Sequence, residues 1–354
     1  MTFATTPRRP LAQRPAHGFT LVELMVAMAL GLLLLAALVA LLVSTTTGRS
    51  ELDKSSRQIE NGRYALQVLT TDIKSAGFIG TTGVQSWDRA APVACPATVA
   101  DLAYDAAGTG QLPLAVQLLD PAAPPACLDH YQTGTGILLI TRVSSQTTTT
   151  ATAAAAETYV QVSTCKSDAA PYAVGSGAGG SFPLRQKDCT AVAPLRKAIQ
   201  RIYYISSCNE CGKDSVPTLK VAEYVNGVMT VAALADGIEN MQFDMGIDMD
   251  NDGAPDCDVS NPDAPPATQT DVARCPQPAG AYDWTQMGVN RQNVMTVRVN
   301  LLARNTEPSG GWKDDRTYDL GLAGTVGPFN DAYKRHAYSG VARVINVSAL
   351  RELP

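Results

Sequence analysis

The sequence predicts an α+β protein: one long N-terminal helix, apolar in its first half and amphipathic in its second, packed on a mostly antiparallel β-sheet head with long loops. Three observations lead there. A single apolar run occupies residues 19–43, and no other stretch of the 354-residue chain approaches it. A polar segment with helical periodicity follows and stops at a cluster of glycines. Beyond the glycines, β-branched and aromatic runs alternate with turn-rich segments.

With 45% hydrophobic and 17% charged residues the chain can bury a real core, which excludes a disordered protein and allows one large domain or two modest ones. In order, the reading gives a basic leader over 1–18, a transmembrane helix over 19–43, an amphipathic stalk helix over 44–76 and a β-rich globular head over 77–354.

Arg8, Arg9 and Arg14 precede the apolar run, and no comparable basic cluster follows it. The run is roughly 25 residues long, against the about 20 needed to span a bilayer. The positive-inside rule therefore keeps the N-terminus in the cytoplasm and exports the head. A secretory signal would carry a small-residue cleavage site after the apolar run; here the run continues through Ala36, Ala37 and Ala40 into a polar helix, so it reads as retained. Arg8-Arg9 does not open a twin-arginine signal, because Pro10 follows and the apolar pair expected close behind is missing. Removing the leader takes away three arginines and no acid, moving the formal charge from −5 to −8, which argues against a nucleic-acid-binding surface on the head as a whole.

Glu23 is the only charge in the apolar run, and a carboxylate there is costly until it finds a counter-charge. The stretch Gly18-Phe19-Thr20-Leu21-Val22-Glu23-Leu24-Met25-Val26-Ala27 resembles the processing signature of type IV prepilins. That resemblance implies a pilin-like fold whose apolar helix becomes filament core, a cut by prepilin peptidase between Gly18 and Phe19, N-methylation of Phe19, and pairing of Glu23 with the terminal amine of a neighbouring subunit. The physics agrees, since cleavage exposes an ammonium where an unpaired carboxylate is expensive. A signal anchor with a stray Glu is the other reading. Many major pilins carry a proline in this segment, and none lies in 19–43 here.

After residue 43 the apolar positions Leu52, Ile59, Leu66, Leu69, Ile73 and Ala76 recur at helical spacing and predict one buried stripe. Gly77, Gly80 and Gly83 end the pattern. At about 1.5 Å of rise per residue, a helix over 19–76 is roughly 87 Å long. Gly31 and Gly62 each cost about 1 kcal/mol inside it.

In the head, strands are predicted over 137–143, 158–162, 198–205, 218–225, 241–247, 294–302 and 341–347, with loops over 147–156, 175–180 and 261–270. The segments Glu60-Asn61-Gly62-Arg63-Tyr64-Ala65, Arg201-Ile202-Tyr203-Tyr204-Ile205 leading to Cys208, and Gly237-Ile238-Glu239-Asn240-Met241-Gln242-Phe243 resemble PilW-type minor pilins. The resemblance implies a low-abundance pilin that helps prime assembly or sits near the fibre tip.

Asp248, Asp250 and Asp252 alternate before Gly253, with Asp256 beyond, as in the opening of a calcium loop. Position twelve of an EF-hand would be Val259 rather than Glu, so the readings are a calcium-binding β-loop and a solvated acidic turn. Calcium is the one candidate cofactor, and none is required.

Eight cysteines, all beyond the apolar run, suit an oxidising compartment. Neighbour pairing suggests Cys95 with Cys127, Cys165 with Cys189, Cys208 with Cys211 and Cys257 with Cys275, among 105 connectivities. Cys208-Asn209-Glu210-Cys211 reads as a redox or zinc motif or as a clipped hairpin; a second such pair and a following helix are both missing, and Gly212 and Pro217 favour the hairpin.

Two of the three histidines, His130 and His336, lie outside the leader, and no nucleophile is paired with a base, which weighs against an enzyme. The expectation is a minor pilin held in the bacterial inner membrane, then part of a pilus, with prepilin peptidase and other major and minor pilins as partners. Adhesion, motility and DNA uptake follow as consequences. Rival readings are a type II secretion pseudopilin, a tip adhesin with its loops around 147–180 as the binding surface, and an anchored extracytoplasmic enzyme.

Overall fold

The computed structural model describes residues 18, 20–80, 88–105, 110–262, 275, 282–284 and 286–352. Gly83 and most of the predicted 261–270 loop lie outside these. Helix α1, Leu21–Ser75, runs for 55 residues. The chain divides into two compact units, Met1–Asp53 and Lys54–Pro354. In the first, every side chain from Leu21 to Ser50 is exposed, and α1 is the one helix among the described residues long and apolar enough to cross a membrane.

In the second unit α1 buries Gln58, Gly62, Ala65, Leu69, Asp72 and Ile73. From Gln58 to Asp72 these recur at spacings of four and three, with Ile73 four beyond Leu69, a single face of the helix. Leu69 and Ile73 are fully buried, as the sequence predicts. Leu52 and Ile59 are not on that face: they are 71% and 42% exposed. Their places are taken by residues that apolar periodicity does not register. Gln58 Nε2 donates to the carbonyls of Ala303 (2.8 Å) and Lys334 (2.9 Å). Gly62 admits the Tyr338 ring so closely that a Cβ would lie 2.3 Å from it.

The head contains β1 (Arg89–Ala90), β2 (Leu112–Pro113), β3 (Val116–Leu119), β4 (Ile137–Val143), β5 (Thr158–Val162), β6 (Tyr172–Ser176), β7 (Leu195–Ser206), β8 (Thr218–Val225), β9 (Val228–Asp236), β10 (Ile238–Ile247) and β11 (Cys257–Val259). After the short α2 (Met287–Asn290) come β12 (Val294–Arg304), β13 (Tyr318–Asp319), β14 (Thr325–Val326), β15 (Arg335–Arg343) and α3 (Ile345–Arg351). Two antiparallel sheets dominate. One has seven strands in the order β3-β4-β7-β5-β6, with β8 also on β7 and β9 on β8; the other has four, in the order β11-β10-β12-β15. A two-residue parallel pair, β1 with β2, and an antiparallel pair, β13 with β14, are added.

Alternation explains the core. Met241, Phe243, Met245 and Ile247 on β10 and Val297, Val299, Leu301 and Ala303 on β12 join Ala65, Leu69 and Ile73 of α1, and also Leu138, Ile140, Tyr203 and Ile205 of the larger sheet, in one apolar cluster. Burial of this kind supplies about 25 cal/mol per Å² of apolar surface.

Polar clamps supplement it. Asp72, 5% exposed, accepts from Arg142 Nε (2.7 Å) and the Tyr203 hydroxyl (2.7 Å) and pairs with Arg201 (3.3 Å), which also pairs with Glu223 (2.8 Å). Burial, and then the Asp72 carboxylate, push the Tyr203 phenol well above its ordinary range. In the smaller sheet the buried Arg335 guanidinium meets Glu239 (2.5 Å), Asp314 (2.9 Å) and Asp331 (2.6 Å).

Strands over 137–143, 158–162 and 218–225 form as predicted, and those over 198–205, 241–247 and 294–302 form with longer ends. The segment 341–347 does not form one strand. Its first part closes the β15 ladder on β12; then Val344 N–H turns to the Met295 carbonyl and α3 begins, burying Val347 and Ser348. Tertiary packing overrides the β propensity of Val and Ile there. Strand β6 reaches two residues into the predicted 175–180 loop. The sequence reading contains no strand at β9, whose residues VMTVAALAD carry no polar/apolar alternation, although their side chains alternate between exposed and half-buried over the first five positions.

Candidate functional site

Two places carry the residues singled out in the sequence. At the N-terminus Gly18 is exposed, and a Cβ there would meet nothing within 4 Å; Phe19 lies outside the described residues. Thr20 and Glu23 form a reciprocal capping box. The Thr20 N–H and hydroxyl both donate to Glu23 Oε2 at 2.9 Å, and the Glu23 N–H donates to Thr20 Oγ1 at 3.3 Å. This explains why the helix begins at Leu21: two backbone N–H groups at its start, those of Thr20 and Glu23, are satisfied. Thr20 is not among the sequence-predicted site residues, although the Thr-x-x-Glu spacing signals it. The Glu23 carboxylate is hydrogen-bonded yet has no cation paired with it among the described residues, so its charge is available to a cation from elsewhere.

The second place is the acidic loop between β10 and β11. Asp248 is fully buried and organises the turn: its Oδ1 accepts from Asn251 N–H (2.7 Å) and its Oδ2 from Gly253 N–H (3.1 Å). Asn251 and Gly253 both take positive φ, 68° and 86°, and a Cβ on Gly253 would come within 2.9 Å of the Ser348 carbonyl. Asp256 Oδ2 accepts from Met249 N–H at 2.6 Å. Carboxylate oxygens of Asp248, Asp250 and Asp256 all lie within 4.8 Å of one another. Asp252 stands outside that group, its Oδ1 accepting from Ala254 N–H at 2.7 Å.

Arg351 of α3 completes this loop. Its Nη1 meets Asp248 Oδ2 at 2.9 Å, and its Nη2 donates to the Asn293 side chain (2.6 Å) and the Gln292 carbonyl (3.2 Å). Nothing in the sequence signals this partner, which stands about a hundred residues away at the chain's far end.

All eight cysteines are paired, Cys95–Cys127, Cys165–Cys189, Cys208–Cys211 and Cys257–Cys275. The last joins β11, directly after the acidic loop, to Cys275.

A long N-terminal helix, a head of antiparallel sheets and a match of residues 13–39 to the prokaryotic N-terminal methylation motif define a pilin-like protein. Residues 202–346 match the PilW family, Type IV Pilus-assembly protein W, a span from within β7 to the start of α3. The chain thus matches a PilW-type pilin with a prepilin signature. No curated protein and no solved structure matches it. Both matches point to a structural protein of the type IV pilus, and the apolar helix with its methylation motif points to membrane anchoring.

Proposed function

We propose that the chain is a minor pilin that takes part in assembling or priming a type IV pilus, near the fibre tip, and that it has no catalytic role. In this reading prepilin peptidase cuts between Gly18 and Phe19, Phe19 is methylated, and the single-pass precursor waits in the inner membrane with its N-terminus cytoplasmic and its head periplasmic. Glu23 then pairs with the terminal amine of a neighbouring pilin. The observation that carries the proposal is the coincidence on one chain of the methylation motif at 13–39 and the PilW match across 202–346. Glu23 in the exposed apolar segment supports it, because its carboxylate is capped by Thr20 and still without a counter-charge among the described residues.

The test is genetic. Glu23→Ala is expected to be cleaved normally and to fail to enter pili, and deleting the gene is expected to reduce piliation seen by microscopy. Normal piliation with defective protein secretion would instead establish the pseudopilin reading.

Calcium binding at the acidic loop is a second proposal, supported by the convergence of Asp248, Asp250 and Asp256. The ion would compete with the Arg351 guanidinium for Asp248. Calorimetry of the full chain is expected to show calcium binding that Asp250→Ala weakens and Arg351→Gln strengthens. No heat at millimolar calcium for any of the three would remove the proposal.

A further inference from the structure

The hairpin joining β7 to β8 carries a cation that neither the core nor the proposed assembly role uses. Lys220, on β8, is only 7% exposed. Its Nζ lies 3.7 Å from Cys211 Sγ, and no carboxylate forms an ion pair with it among the described residues. Asp214, an acid that Lys220 influences, spends its oxygens on the N–H groups of Asn209 (2.9 Å), Glu210 (2.8 Å) and Val216 (3.0 Å). Those bonds, led by the one from Glu210, hold the Asp214 carboxyl below its usual range, with Lys220 a lesser contributor. Glu210 itself is paired with Lys213 at 2.6 Å.

A largely buried lysine that faces a neutral disulfide sulfur, with no carboxylate in ion-pair contact among the described residues, gains from a negative charge placed beside it. Reducing the bond supplies it, because Cys211 then becomes a thiolate beside the ammonium. Other groups around the sulfurs act in the same direction. Ser206 Oγ is 3.9 Å from both Cys208 Sγ and Cys211 Sγ, and Ser207 Oγ is 3.9 Å from Cys208 Sγ. An imidazole nitrogen of His130, from the neighbouring segment, lies within 4.8 Å of both sulfurs.

We propose that Cys208–Cys211 is an exchangeable disulfide, a thiol-modification site that takes two electrons from an extracytoplasmic dithiol and whose reduced form is held as a Cys211 thiolate by Lys220. Cys211 is the more accessible sulfur, since Cys208 is buried. A thiolate of the incoming dithiol attacks Cys211 Sγ, the bond to Cys208 breaks, and Cys208 leaves with the electron pair and takes a proton. The second sulfur of the dithiol attacks the first, releasing Cys211 as a thiolate and closing the dithiol into its own disulfide. The protein disulfide gains two electrons, the dithiol loses two, and of its two protons one ends on Cys208 and one in water.

The fold allows the bond to open without unfolding. Its cysteines are three residues apart, whereas the other bonds span 18, 24 and 32 residues, so it constrains the chain least. The β7–β8 ladder, from Arg201 opposite Glu223 to Ser206 opposite Thr218, holds the hairpin independently.

The test uses the full chain in detergent micelles, equilibrated with graded dithiothreitol, alkylated with iodoacetamide and mapped by peptide mass spectrometry. Cys208 and Cys211 are expected to be labelled at about a tenth of the reductant concentration needed for the other three pairs, Lys220→Met should raise that concentration about tenfold, and Lys220→Arg should restore it. Reduction of all four pairs together, or a Lys220→Met protein that behaves as the wild type, would overturn the proposal. Should Lys220→Met fail to fold, the pH dependence of Cys211 alkylation in the reduced wild type decides: a midpoint clearly below about 8.5 supports it, and an ordinary midpoint overturns it.

Discussion

Between Leu21 and Val43, α1 is apolar apart from Glu23 and every side chain is exposed; between Lys54 and Ser75 the same helix buries six residues, of which two are polar and one is a glycine. The first half contains far more hydrophobic surface and uses none of it on its own unit. Its environment has to come from outside, from lipid or from other apolar helices, and its sequence is accordingly simple: length, apolarity and one carboxylate. The second half is specified residue by residue against the head. Composition therefore announces the apolar segment, whereas the packing of the second half rests on individual contacts.

The comparison breaks most visibly at Asp72. Replacing it with Ala leaves Arg142 and Arg201 without their shared carboxylate, and losing one partner of a buried ion pair costs about 3–5 kcal/mol. Urea unfolding of the full chain, followed by tryptophan fluorescence, should show that loss; a change under about 1 kcal/mol would mean that the network contributes nothing net.

Leu69→Ala comes next, at about 2–5 kcal/mol, since Leu69 is fully buried. Leu33→Ala, an equal deletion at a site 67% exposed, should leave the same unfolding transition in place. Equal effects of the two would erase the distinction between the halves.

The smallest effect concerns acid. Hydrogen bonds from Arg335, chiefly, hold the Asp331 carboxyl below its usual range. A group whose pKa falls on folding adds stability that is complete above its unfolded value, about 3.9, and is lost as pH drops through the lower folded value. Wild type should therefore lose stability in that acid window, and Asp331→Asn should flatten the loss by a modest amount; a steeper loss in the variant would contradict the assignment.

Much of the fold was legible in the sequence because the signals were local. The apolar run, the glycines after Ala76, and the β-branched runs at 137–143, 158–162 and 218–225 each depend on neighbours in sequence. What escaped was set by distant partners. Gln58 and Gly62 lie on the buried face because of Ala303, Lys334 and Tyr338. Residues 345–351 are helical in a stretch partly read as strand, and that turn of helix delivers Arg351 to Asp248. Of the candidate sites, the positions of Glu23 and the acidic loop were evident, while their partners differed in visibility: Thr20 follows from a three-residue spacing, and Arg351 and Lys220 from nothing but the fold.

The most direct measurement is the mass of the N-terminal peptide of the mature chain isolated from cells. The account predicts a chain that begins at Phe19 and carries one added methyl group on its amine. A mature chain that begins at Met1, or that has been cut beyond the apolar run so that Glu23 is lost, would contradict it.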